Sequence, residues 1–309
     1  MKPVLFTLLV LNACAPALEP QAARAPVISG ATAQTLPFGD YATYFETLGE
    51  GDPVVLVHGI GGGSSVFQYR NNAAALAEAG FKVYALDLLG FGRSSRPEIR
   101  YTQDLLTEQL TEFLEKVPET PAAVVANGLS AAYAVRIAAE RPELISKLVV
   151  ISPTGFERLS RPQNEARVAG FNRFRGVLGG ALNAVLLDPG TQRFFLLDAY
   201  AGPGSLTPEV LDNYDDNLRA ENARWVIFSF ISGNLDQDVS QLWPSVTQPV
   251  LMLWGDEATT TPIGDAQDFI GARPQTTLLP VRGTKLLPNE DRPGVFNRAV
   301  TQFLIDDLN

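Results

Sequence analysis

Pro53-Val54-Val55-Leu56-Val57-His58-Gly59-Ile60-Gly61-Gly62-Gly63-Ser64 is the stretch that decides the fold. Its first five residues are a short, continuous apolar run rich in β-branched side chains. Such a run suits a strand buried on both faces, because it has no side to offer water. The glycines that follow mark a turn, and a helical pattern then runs to about Gly80. The unit recurs along the chain, predicting strands over 82–88, 122–126, 147–152, 249–254 and 276–281, with helices over 104–116 and 129–140. Apolar strands alternating with helices predict an α/β fold, a mostly parallel sheet covered by helices on both faces. A closing helix carries Phe296, Val300, Phe303 and Leu304 on one face behind Pro293 in its first turn.

Residues 156–245 interrupt the alternation with helical pattern alone, predicting a helical cap on a core of residues 38–155 and 246–309. Thr207-Pro208-Glu209 reads there as an N-cap, a first-turn proline and an acid. Phe171, Phe174, Phe194, Phe195, Trp225, Phe228 and Phe230 enrich the cap in rings. Most are expected in its own core, and a minority against the main domain.

The 309 residues are 46% hydrophobic, enough to fill the core of one large domain with an insertion. A net charge of −10 argues against nucleic acid, since phosphate binding needs clustered Lys and Arg. One His and one Cys are too few for zinc, haem or iron–sulfur sites, and an intramolecular disulfide needs a second Cys. A carboxylate site for Mg or Ca stays open, without EF-hand spacing. No cofactor is expected.

The N-terminus has a basic start, an apolar run to Leu11 and then small residues, as in a secretory signal. Leu11-Asn12-Ala13-Cys14 resembles a bacterial lipobox, although Asn12 departs from the small or β-branched residue usual there. The resemblance implies lipidation of Cys14 and a membrane-anchored envelope protein. Cleavage after Ala15-Pro16-Ala17, giving a secreted soluble chain, is the alternative. Residues 15–37, rich in Ala and Pro without apolar period, read as a tether.

Further motifs follow in order: Asp87-Leu88-Leu89-Gly90-Phe91-Gly92-Arg93-Ser94, then Trp254-Gly255 through Pro262, then Leu287-Pro288-Asn289-Glu290. With Val57-His58-Gly59-Ile60-Gly61, they resemble the H-G-x-G, D-x-x-G-x-G-x-S, W-G-x-x-D-x-x-x-P and H-x-P-x-E segments of α/β-hydrolases. The match lies with the cap-bearing branch of epoxide hydrolases, haloalkane dehalogenases and esterases. It covers the chain from about Tyr41 and implies an eight-stranded sheet. A rival reading takes residues 53–87 as a dinucleotide-binding unit ending in Asp87. Ser64 stands where that motif needs its third glycine, and the later motifs have no place in it.

The resemblance implies a nucleophile inside G-x-S-x-G, on a strained turn flanked by small residues. The aligned segment here is Ala126-Asn127-Gly128-Leu129-Ser130, with Gly128 at the nucleophile position. The acid position holds Ala258 and the base position Leu286. Three replacements in register, beside matched motif residues, convert a polar relay to small or apolar side chains. An Asp without its imidazole would be an uncompensated buried charge, so the changes are consistent as a set. His58 reads as structural, with Gly59 and Gly61 supporting the pocket. Ser130, Lys285, Asp256 and Glu257 are the residues that could rebuild chemistry, with Ser130 expected to pack inward and Lys285 at the surface.

The resemblance also implies that the Ile60 and Leu129 N–H groups converge as an oxyanion-hole-like corner. An apolar cavity is expected with Gly128 below, Ala258 and Leu286 behind, and the aromatic cap above. The alternative is a collapsed pocket. Three functions follow: a non-catalytic envelope protein binding a small apolar ligand or a protein partner; an unconventional ester or lipid hydrolase; or a structural lipoprotein.

Overall fold

A computed structural model describes residues 25–306 apart from Glu157. The signal and Cys14 lie outside the described residues. Eight strands form one sheet: β1 (Thr32–Phe38), β2 (Tyr41–Leu48), β3 (Asp52–Val57), β4 (Phe81–Leu86), β5 (Ala122–Asn127), β6 (Ile145–Ile151), β7 (Val250–Gly255) and β8 (Thr277–Val281). The order is β1-β2-β4-β3-β5-β6-β7-β8. β1 and β2 pair antiparallel, β2 joins β4 antiparallel, and every later pair is parallel.

The continuous apolar runs are two-faced. Val55, Val57, Val124, Ala126, Met252 and Trp254 enter one core, which the helices Gln103–Lys116 and Leu129–Glu140 cover. Val54, Leu56, Ala123, Val125, Leu251 and Leu253 enter the other, under Ala73–Glu78 and Pro293–Ile305. The period of two in pleated strands makes this division. Each fully buried Val or Leu contributes about 1.5–3 kcal/mol relative to exposure.

Two expectations are corrected. The tether read over 15–37 overruns into structure, because Thr32–Phe38 is an edge strand pairing with Tyr41–Leu48. Before it, the buried Glu46 carboxylate accepts the N–H groups of Val27 and Ile28, each at 2.7 Å, and the Tyr44 hydroxyl at 2.6 Å. The helix expected up to Gly80 is two pieces, a four-residue 3-10 turn at Val66–Tyr69 and the short helix Ala73–Glu78.

Between β6 and β7 the chain runs through helices Glu165–Phe174, Val177–Leu186, Pro189–Ala199, Pro208–Arg219 and Arg224–Ile231. Thr207 caps the fourth, its hydroxyl accepting the Val210 N–H. This insert stands over the C-terminal end of the sheet. No helix among the described residues is long and apolar enough to cross a membrane.

Candidate functional site

The loops after β3, β5, β7 and β8 leave the same end of the sheet, and each carries one motif. After β3, His58 is fully buried. Its Nδ1 lies 2.8 Å from the Gly59 carbonyl and its Nε2 accepts the Leu88 N–H at 3.0 Å. The two contacts require the Nδ1–H tautomer, and burial holds the imidazole neutral, with its pKa lowered to about 4. The Gln68 side chain accepts the Gly59 N–H at 2.8 Å and donates to the Tyr214 hydroxyl at 2.9 Å. Asp87, also buried, accepts the N–H groups of Val66 and Arg93, tying the β3 and β4 loops together. Desolvation raises its pKa.

The glycine run is a seat for the insert. A Cβ on Gly63, whose φ is +81°, would stand 2.4 Å from the Tyr214 carbonyl oxygen, so the helix Pro208–Arg219 lies directly on the loop backbone. A pyrophosphate has no such helix to bind: only a 3-10 turn follows the glycines, and a single turn supplies little macrodipole. The dinucleotide reading therefore lacks its anion site.

After β5, Gly128 has φ 57° and ψ −121°, a conformation costly for any residue with a Cβ. The sharp strand-to-helix turn thus keeps its shape, and a Cβ built there meets nothing within 4 Å. The Gly128 N–H is bonded to the Ile151 carbonyl at 2.8 Å. Ser130 is fully buried and donates to the His58 carbonyl at 2.6 Å, so its hydroxyl links the β3 and β5 loops and does not face a cavity. Among the described residues, neither the Ile60 nor the Leu129 N–H has a hydrogen-bond partner. Asn127 Nδ2, Ser152 Oγ and Thr154 Oγ1 are buried and unpaired beside this turn. The sequence reading missed these three, and only the unusual φ of +42° at Ser152 sets one of them apart.

After β7 and β8 the insert takes over. Trp254 Nε1 donates to the Thr261 carbonyl at 2.8 Å, closing the loop that carries the buried Ala258. Thr259 and Thr260 both donate to the Asp198 carboxylate of the insert. The Leu286 N–H is bonded to the Ala199 carbonyl at 3.0 Å, and its side chain packs against a cluster containing Leu196, Tyr200 and Leu287. Lys285, expected at the surface, is half-buried with its ammonium on the Leu197 carbonyl, because the C-terminal end of helix Pro189–Ala199 offers unpaired carbonyls. Asp291 accepts the Ala201 N–H and the Ser205 hydroxyl. Asp256 and Glu257 are exposed, Asp256 accepting the Gly283 N–H. Glu290 is buried against Arg70, and desolvation pushes its pKa up to about 7 despite that cation. Among the described residues no three metal-ligating side chains stand together.

An apolar cavity lies beside the β3 loop, under the insert. It measures about 230 Å³ and is lined by Gly61, Gly62, Leu186, Phe195, Leu218 and Ile227, among others, between the β3 loop and the insert. Gly128, Ala258 and Leu286 do not line it. Of the residues expected to support the pocket, Gly61 lines it, whereas His58 and Gly59 hold its loop in shape.

A family model for the alpha/beta hydrolase fold matches residues 52–284. A 2-hydroxy-6-oxo-6-(2'-aminophenyl)hexa-2,4-dienoic acid hydrolase of Metapseudomonas resinovorans is 33% identical over 119 residues, 38% of this chain and 41% of that one. A 2-hydroxy-6-oxononadienedioate/2-hydroxy-6-oxononatrienedioate hydrolase of a Pseudomonas species is 24% identical over 83% of this chain and 89% of its own. Among solved structures, a serine hydrolase involved in carbazole degradation superposes with a TM-score of 0.74 at 20% identity, covering 89% of this chain and 98% of that one. Strand order, turn geometry and the family match agree: the chain belongs to the α/β-hydrolase fold family.

Proposed function

We propose that this chain is a non-catalytic member of its family, a pseudoenzyme of the bacterial envelope that binds a small amphiphilic molecule. The observation that carries the reading is the commitment of its only histidine. His58 has both ring nitrogens engaged and is buried and neutral, so it has no lone pair free to take a proton from a nucleophile. The motif register places Gly128, Ala258 and Leu286 at the nucleophile, acid and base positions, none of which can transfer a proton or attack a substrate. The remaining nucleophile candidate, Ser130, spends its proton on a backbone carbonyl.

Binding has separate support. The cavity offers apolar walls, and its volume equals about eight waters at ~30 Å³ each, room for a short chain. Its floor, Gly61 and Gly62, directly follows Ile60 in the loop. The free N–H groups of Ile60 and Leu129, with Asn127 Nδ2, can satisfy a carbonyl or carboxylate head while the tail lies under the insert. The N-terminal signal with Cys14 supports an exported, lipid-anchored chain.

The test is two measurements on the purified protein. Native mass spectrometry followed by organic extraction should yield a co-purifying amphiphile at near-stoichiometric amount. Stoichiometric labelling by a fluorophosphonate, lost in Ser130→Ala, would overturn the non-catalytic reading in favour of an unconventional ester or lipid hydrolase.

A further inference from the structure

Six of the eight exposed large hydrophobic residues among the described residues lie on the insert. Phe194 is 70% exposed, Leu178 61%, Phe195 57% and Val185 56%, with Ile231 beside them at 45%. The Phe194 and Phe195 rings are 5.6 Å apart, edge to face. The helix Val177–Leu186 has no charged residue, and its outward positions include Leu178, Gly180, Ala181, Ala184 and Val185. A soluble protein rarely exposes this much contiguous apolar surface without a partner.

We propose that this face of the insert docks into an anionic phospholipid bilayer, with Phe194, Phe195, Leu178 and Val185 entering the headgroup–acyl boundary. Three observations select a bilayer. The first is charge. Residues 165–197 hold four arginines against two acids in a chain of net charge −10, and Arg173, Arg175 and Arg193 are exposed around the apolar positions. Basic residues framing an apolar face fit a surface of anionic lipid headgroups. The second is reach. Val27 packs against the cluster that Leu196, Tyr200 and Tyr214 share with Phe67 and Leu287, so the chain leaves the fold beside the base of the insert. Twelve residues, 15–26, separate Cys14 from Val27, a span of at most ~47 Å. The third is continuity. Phe195 and Ile231 belong both to the exposed face and to the cavity wall, so the cavity opens towards that surface.

The proposal rests on the envelope reading above and supplies its orientation: a single acyl chain holds a membrane only marginally, and an inserting apolar face is a second attachment. It also names the ligand's route, from the acyl layer past Phe195 into the cavity.

Phe195→Trp in the full chain places an indole on this face at low folding risk, since the side chain is mostly exposed. The three native tryptophans, Trp225, Trp243 and Trp254, are buried and form a constant background. With phosphatidylglycerol–phosphatidylethanolamine vesicles, the added emission should shift to the blue, and brominated acyl chains should quench at least half of it. Arg173→Glu with Arg193→Glu should reduce that quenching at least twofold. Vesicle-bound protein whose added emission is not quenched would overturn the proposal, because the face then points away from the lipid. So would sedimentation showing a dimer that buries the introduced indole. Palmitate labelling lost in Cys14→Ser reads the anchor separately: an unlabelled chain with a quenched indole discards the anchor and keeps the docking face.

Discussion

The loops after β3 and β5 and the loops after β7 and β8 stand at one end of the same sheet, yet they keep their shapes by different means. The first pair is held by bonds within the core domain: Ser130 to His58, His58 to Leu88, Gly59 to Gln68 and Asp87 to Val66. The second pair has bonds of its own, Trp254 to Thr261 and Gly283 to Asp256, and is tied in addition to the insert through Asp198 on Thr259, the Leu197 carbonyl on Lys285 and the Ala199 carbonyl on Leu286. Polar chemistry therefore has different prospects at the two places. The turn at Gly128 has room and the right backbone. Ala258 is buried in a loop bonded to the insert and Leu286 packs against it, so a carboxylate or imidazole at these positions would displace contacts with the insert.

The largest predicted effect comes from the second pair. Ala258→Asp combined with Leu286→His puts a carboxyl at a buried position and removes an apolar side chain from the cluster around Tyr200. The expected cost is about 4 kcal/mol at pH 8, lowering Tm by roughly 10 °C in thermal denaturation. A loss under ~2 °C would mean that the insert is not what holds these loops.

The two regions also titrate in opposite senses. His58 binds its proton less readily folded, near pH 4, than unfolded, near 6.5, so its contribution is complete above pH 6.5 and declines as the pH falls towards 4. Glu290, in the β8 loop, binds its proton more readily folded, near pH 7, than unfolded, near 4.5, so its contribution grows over a similar fall. Each amounts to about 3 kcal/mol, and between pH 6.5 and 4.5 they nearly cancel. Urea denaturation of Glu290→Gln should therefore show stability falling on acidification by about 3 kcal/mol more than in the unaltered chain. Parallel curves would show that the two groups do not oppose one another.

Gly63→Ala probes a place where the insert rests directly on the backbone of the first pair. The methyl group would meet the Tyr214 carbonyl oxygen at 2.4 Å in a left-handed backbone. A cost of about 2 kcal/mol is expected, with faster proteolysis inside Pro208–Arg219 than elsewhere. Uniform proteolysis would separate that helix from the loop.

Much of this was legible in the sequence, for physical reasons that also mark its limits. Val54–Val57 announces a strand buried on both faces, and the Thr207 cap announces its helix, because each signal is local. The edge strand Thr32–Phe38 is missed because its side chains are mixed and mostly exposed, leaving no apolar period in an Ala- and Pro-rich stretch. The assignment of Gly128, Ala258 and Leu286 rests on motif register alone. The cavity under the insert cannot be read in this way, since its walls come from the β3 loop and from insert helices far apart in the chain, which no spacing encodes. Lys285 reads as a surface charge for the same reason: its partner is a carbonyl 88 residues away.

Gly128→Ser is the smallest change and bears most directly on the comparison. The site has space for the side chain, so the cost is confined to a φ of +57° on a residue with a Cβ, about 1 kcal/mol or roughly 3 °C in Tm. A serine there regains position without regaining reactivity, since a hydroxyl needs a base and His58 keeps both nitrogens in the core. Fluorophosphonate labelling should stay at the level of the unaltered chain from pH 6 to 9, while thermal denaturation shows a folded protein. Rapid labelling would reveal a base that reaches the turn. A loss of several kcal/mol would instead show that the turn, like the loops opposite it, has closed around its replacement. A stable, unreactive serine would support the non-catalytic reading proposed above.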